Sequence, residues 1–86
     1  MPYIKQEDRK RLNLPFPRPE NSGELNYCIH ILLERYLKHK GESYQTYNDM
    51  IGALECAKLE LYRRRISKYE AKKVEENGDI SFYKGY

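Results

Sequence analysis

The sequence is short of what a self-sufficient core or a catalytic centre needs. Leu, Ile, Val and Phe number 18 of 86 residues, and a fraction of about 21% lies at the edge of the range in which chains fail to fold alone. No apolar run exceeds a few residues, which excludes a membrane span. The opening Met1-Pro2-Tyr3-Ile4-Lys5 lacks the apolar centre of a signal peptide, so a cytoplasmic location is expected. Two cysteines, Cys28 and Cys56, stand far apart without paired histidines and make neither a zinc pattern nor a disulfide framework. No Gly-rich phosphate loop or nucleophile elbow is present. His30 stands two residues from Cys28, on another side of a helix, and cannot serve that thiol as a base. Glu34, Glu55 and Glu60 are the central acids, and their spacing does not build a carboxylate metal site. Neither enzyme chemistry, nor a cofactor, nor a metal is expected.

What is present is tyrosine and unevenly placed charge. Nine tyrosines bring the hydrophobic share to 40%, and each carries a hydroxyl that must stay wet or find a partner. The net charge of +3 divides into +2 over residues 1–20, +1 over 21–40, −3 over 41–60 and +3 over 61–86. Between Lys58 and Lys73, seven basic residues face only Glu60 and Glu70, a local excess able to attract an anion. The plainer reading is a solvated helix face, with Glu60 and Arg64 at the i,i+4 spacing that favours helix.

Three parts follow: a Pro-rich arm over 1–20, a helical core over 21–74, and a turn with an extended tail over 75–86. All four prolines lie in the first part, three of them alternating in Leu14-Pro15-Phe16-Pro17-Arg18-Pro19. The arm is therefore expected to be extended, docking through Leu12, Leu14 and Phe16. A helix should start at Asn21 or Ser22, which can cap it, and end at Gly41. Leu25, Cys28, Ile29, Leu32, Leu33 and Tyr36 form one stripe on it, with Tyr27 and Ile31 on the other side. A second helix should run from about Thr46 to Lys73, with a stripe through Tyr47, Met50, Ile51, Leu54, Ala57 and Leu61. Leu59, Tyr62, Ile66 and Tyr69 form a further stripe, rotated by about a quarter turn.

The short link makes these helices antiparallel neighbours, so residues whose numbers add to 84–86 should face each other. Tyr36 then meets Met50, Leu32 meets Leu54, Ile29 meets Ala57, Leu25 meets Leu61, and Cys28 falls near Cys56. The fold class is all-α: an antiparallel hairpin with one long helix, completed by homo-oligomerisation because the core is small. Tyr27, Ile31, Gly52, Leu59, Ile66 and Tyr69 are the expected oligomer interface. After Asn77-Gly78, Ile80-Ser81-Phe82-Tyr83 alternates like a short strand.

Two binding constellations emerge. Lys58, Arg65, Lys68 and Lys72 fall near one line of the second helix, a geometry suited to phosphates, with Arg9, Lys10 and Arg11 as an added contact. Tyr62, Arg63, Arg65 and Tyr69, with Tyr3 and Tyr83, suit a small anionic ligand such as a nucleotide at a subunit junction. The same tyrosines would equally seal a protein contact.

Gly23-Glu24-Leu25-Asn26-Tyr27, Ile51-Gly52-Ala53-Leu54-Glu55-Cys56-Ala57-Lys58-Leu59-Glu60-Leu61-Tyr62-Arg63-Arg64, Tyr69-Glu70, Glu76-Asn77-Gly78-Asp79 and the opening five residues together resemble a family of short uncharacterised bacteriophage and bacterial proteins. The likeness covers most of the chain except the proline arm. It implies a phage or prophage origin and an accessory role. Such a protein would bind a host factor, a defence factor among them, or sequester a nucleotide signal, stoichiometrically and in the host cytoplasm. A nucleic-acid-binding regulator using Lys58, Arg65, Lys68 and Lys72 is the alternative. No membrane partner is expected.

Overall fold

The computed structural model describes residues 2–13 and 15–85. Its regular elements are helical: α1 (Gln6–Leu12), α2 (Ser22–Lys40), α3 (Tyr44–Leu61), a π-helical segment (Tyr62–Ile66), α4 (Ser67–Asn77) and a single 3-10 turn (Ser81–Tyr83). No strand occurs among the described residues. The chain divides into two compact units, Met1–Leu54 and Glu55–Tyr86.

In the first unit, α1 overturns the expectation that no helix forms in the first twenty residues. The prolines stand at 2, 15, 17 and 19, and the run between the first two is proline-free. Glu7 and Asp8 occupy the first turn of α1 and Arg9, Lys10 and Arg11 the last, which matches the helix dipole at both ends. The Arg9 Nε–H donates to the Ile4 carbonyl at 2.8 Å, tying the helix to the residues before it. Residues 15–20 have no regular structure. Leu14, expected among the arm's anchors, lies outside the described residues.

The ends of α2 follow from two residues. The Asn21 side chain accepts from the Glu24 N–H at 2.9 Å, and the Glu24 carboxylate accepts from the Glu20 N–H at 2.9 Å, so two amides at the helix start are satisfied by side chains. At the other end Gly41 takes φ +86° while its N–H donates to the Leu37 carbonyl, a backbone setting that other residues adopt only under strain. The Ser43 hydroxyl then accepts from the Thr46 N–H at 3.0 Å, so α3 opens at Tyr44, two residues before the expected start.

Two carboxylates hold tyrosines near this turn. Tyr47 donates to Glu42 Oε2 at 2.5 Å, and Tyr36 donates to Asp49 Oδ2 at 3.3 Å while Gln45 donates to Asp49 Oδ1 at 2.7 Å. The hydrogen bond to Glu42 raises the Tyr47 hydroxyl above its ordinary value, with desolvation and the Glu42 charge adding to it. For Tyr36, desolvation leads and the Asp49 charge and hydrogen bond add to it. Both interactions favour the neutral phenol.

An apolar core is absent from the described residues, where Thr46 alone is buried. Leu25 and Leu32 are 51% exposed and Ile51 67%. The facing pairs expected along the two helices are thus not sealed from water within one chain. Cys28 and Cys56 are both free thiols, the first half-buried and the second exposed.

The second unit takes in the end of α3, the π segment, α4 and the tail. The Ser67 N–H donates to the Tyr62 carbonyl, a five-residue step that replaces the four-residue step of an α-helix. Helix continues past the expected Lys73 to Asn77, where Gly78 takes φ +85° and its N–H donates to the Val74 carbonyl. The tail is not a strand: Ser81–Tyr83 is a 3-10 turn. The four-residue alternation is too short to hold an extended ladder without a partner. The Asp79 carboxylate instead accepts the Ile80 N–H at 2.8 Å, and Phe82 and Tyr83 meet edge to face at 5.1 Å.

Candidate functional site

The π segment and α4 together shape a groove of about 340 Å³ lined by Arg64, Arg65, Lys68, Tyr69 and Lys72. The lining follows from helical spacing, because residues three and four apart share a face. Four cations and no acid border this groove. None of the four takes part in an ion pair among the described residues, where the pairs involve Arg11, Lys38, Lys58, Arg63 and Lys73. Guanidinium groups grip phosphate or carboxylate oxygens with two parallel hydrogen bonds, whereas the lysines act as mobile point charges.

The residues expected to bind separate into two groups. Arg65, Lys68, Tyr69 and Lys72 come together in the groove. Lys58 and Arg63 do not line it, since Lys58 pairs with Glu55 at 3.1 Å and Arg63 pairs with Glu60. Tyr62 is 51% exposed on the π segment and does not line the groove either. Sequence reasoning missed Arg64 as a binding residue by assigning it to Glu60. Glu60 takes Arg63 instead, and Arg64 is left for the groove. The signal that finds it is the 64, 68, 72 progression, which repeats every four residues.

Tyr69 stands between two hollows. It lines both the basic groove and a hollow of about 330 Å³ that it shares with Lys73, Val74 and Ile80 among others. The Lys73 ammonium lies 5.5 Å from the Tyr69 ring centroid, a cation–π distance, and also pairs with Glu76 at 3.2 Å.

In the first unit, Phe16 and Pro17 line a smaller apolar cleft of about 160 Å³ with Tyr27, Ile31, Leu32 and Arg35. Two of the expected interface residues, Tyr27 and Ile31, thus border the proline segment of their own chain. Gly52 has open space where a Cβ would stand. Leu59 is 56% exposed, whereas Ile66 is half-buried.

Among the described residues no three His, Cys, Asp or Glu side chains gather in a way that could hold a metal, and no helix is long and apolar enough to cross a membrane. A family model described as a domain of unknown function (DUF6899) matches residues 1–80, proline segment included. Comparisons with curated proteins and with solved structures found no match.

Proposed function

The chain belongs to that family of unknown function, and we propose that it acts by stoichiometric binding without turnover, its basic groove holding an anionic partner. The observation that carries this reading is the set of four cations, Arg64, Arg65, Lys68 and Lys72, with no acid lining the groove and no ion pair engaging them among the described residues. An unneutralised cluster on one helical face repels itself, and an anion relieves that cost. In a phage-type accessory protein the anion belongs to the host: an acidic face of a host factor or a nucleotide signal.

Self-association belongs to the same proposal. Apolar side chains left in water on α2 and α3, Leu25, Leu32, Leu54 and Ile51 among them, forgo about 25 cal/mol for each Å² that a second copy would cover. The hydrogen bond from Tyr36 to Asp49 fits an antiparallel α2–α3 hairpin, since the two numbers add to 85. The open position at Gly52 gives a helix of another copy room to approach.

Native mass spectrometry of gently purified protein tests both parts. The expected spectrum shows a multiple of the single-chain mass carrying an acidic or phosphate-bearing companion, which the double variant Arg65→Glu, Lys68→Glu loses. A companion retained by that variant would refute the groove as the binding site, and a bare single chain would refute self-association.

A nucleic-acid regulator is the second reading, favoured by one observation: an aromatic ring, Tyr69, set among Arg64, Arg65, Lys68 and Lys72. Lys58, engaged by Glu55, drops out of its contact set.

A further inference from the structure

We infer that the anionic partner of the groove is a single strand of nucleic acid, with the cations on successive phosphates and an unpaired base stacked on Tyr69; this rests on the groove being the binding site.

The first argument is spacing. Arg64, Lys68 and Lys72 follow one another at four-residue steps, the first leaving the π segment and the second on α4, where four residues advance about 6 Å. Successive phosphates of an extended strand are a comparable distance apart. A compact di- or triphosphate concentrates its charge over a shorter span and would engage only part of the row. Enclosure points the same way. Small-ligand sites bury most of their ligand, whereas this groove is formed by one helical segment with Tyr69 61% exposed. A polymer gathers affinity from several shallow contacts along its length, which such a surface can supply.

The second argument is the ring. Tyr69 borders both the basic groove and the hollow that contains Lys73, and the Lys73 ammonium lies over the ring at 5.5 Å. Tyr69 is exposed where it lines the groove, which leaves room for a base to stack on it. Cations along a backbone track and an aromatic platform within it are the two parts that sequence-tolerant single-strand binding needs. An acidic protein face would use the cations and cover the ring as apolar surface, whereas an unpaired base stacks on it. A duplex keeps its bases stacked and cannot offer one to Tyr69.

Fluorescence anisotropy with labelled oligothymidine, oligouridine and a duplex of equal length tests the inference on the full chain. The single strands are expected to bind more tightly than the duplex. With four phosphates engaged, affinity should fall roughly 50-fold between about 50 and 200 mM salt. The thymidine and uridine arms show whether DNA or RNA is preferred. Tyr69→Leu should weaken binding by roughly five- to 150-fold with the salt slope unchanged, and Tyr69→Phe should bind like the wild type. Lys68→Gln should reduce the slope by about 0.7, and Lys58→Gln, whose lysine already has Glu55, should leave it alone. Circular dichroism confirms that each variant keeps its helix.

No binding at low salt, a preference for duplex, or indifference to Tyr69→Leu would each overturn the inference. If no strand binds and a protein co-purifies with the wild type but not with Arg65→Glu, Lys68→Glu, the nucleic-acid inference is refuted while capture of an anionic partner stands.

Discussion

Tyr36 on α2 donates its hydroxyl to the carboxylate of Asp49 on α3, 13 residues along the chain and 3.3 Å away. Gln45 donates to the other oxygen of the same carboxylate at 2.7 Å, so both Asp49 oxygens are held. The bond crosses the Gly41–Ser43 turn and ties two helices whose apolar side chains are otherwise wet. Tyr36→Phe and Asp49→Asn should each lower the melting temperature slightly, and the double variant should be no worse than the more damaging single one. Fully additive losses in thermal denaturation would show that the bond contributes nothing.

Alkaline titration reads the second tyrosine pair. The hydrogen bond from Tyr47 to Glu42 raises the phenol above 10.0, so the bond stabilises the fold fully below the unfolded value and that contribution is lost as pH rises through the folded one. Among the tyrosinate absorbance changes, the step lost in Tyr47→Phe should lie above the ordinary phenol value, and Glu42→Gln should move it down. A Tyr47 step at the ordinary position in the wild type would contradict the bond.

Removing the helix cap should be costly for so small a chain. Asn21→Ala deprives the Glu24 N–H of its acceptor, and losses of this kind run at about 1 kcal/mol. Urea denaturation followed by circular dichroism should show a lower midpoint with an unchanged slope. An unaltered midpoint would mean that α2 frays at this end.

Gly52 tests the proposed self-association. Within one chain a side chain at this position meets open space, and Gly52→Ala should raise helix stability by about 1 kcal/mol. Gly52→Leu blocks close approach by another copy and should lower the mass in solution toward that of a single chain. Unchanged mass on sedimentation would exclude Gly52 from the interface.

Replacing Ile66 by Glu should likewise dissociate the proposed assembly while helix content persists, since Ile66 is half-buried and a carboxylate placed against a second copy is costly. Light scattering checks the first half and circular dichroism the second. An assembly that survives would remove Ile66 from the expected interface.

What could be read from the sequence was punctuation. Asn21, Gly41 and Gly78 each do one local job, capping or turning the chain, and such jobs are written in single residues. The α1 helix was hidden because four prolines in twenty residues suggest a continuous arm, although the prohibition acts only close to each proline. The tail was misread because alternation over Ile80–Tyr83 is as compatible with a tight turn as with a strand. The π segment had no legible mark, since its residues are ordinary helix formers and only the hydrogen-bond step differs. Arg64 was missed for a related reason: pair rules assign it to Glu60, whereas Arg63 holds that carboxylate.

The five-residue step closed by Ser67 and Tyr62 also behaves as a reserve of length. A π turn holds about one residue more than an α turn of the same rise. Deleting one residue from Tyr62–Ile66 would let the helix relax to its regular winding with the helix before and after it left nearly in phase. With Tyr62 removed, Arg64, Lys68 and Lys72 would keep their four-residue steps and stay on one helical face. The π turn is thus the place where this helix can lose a residue without losing its basic row.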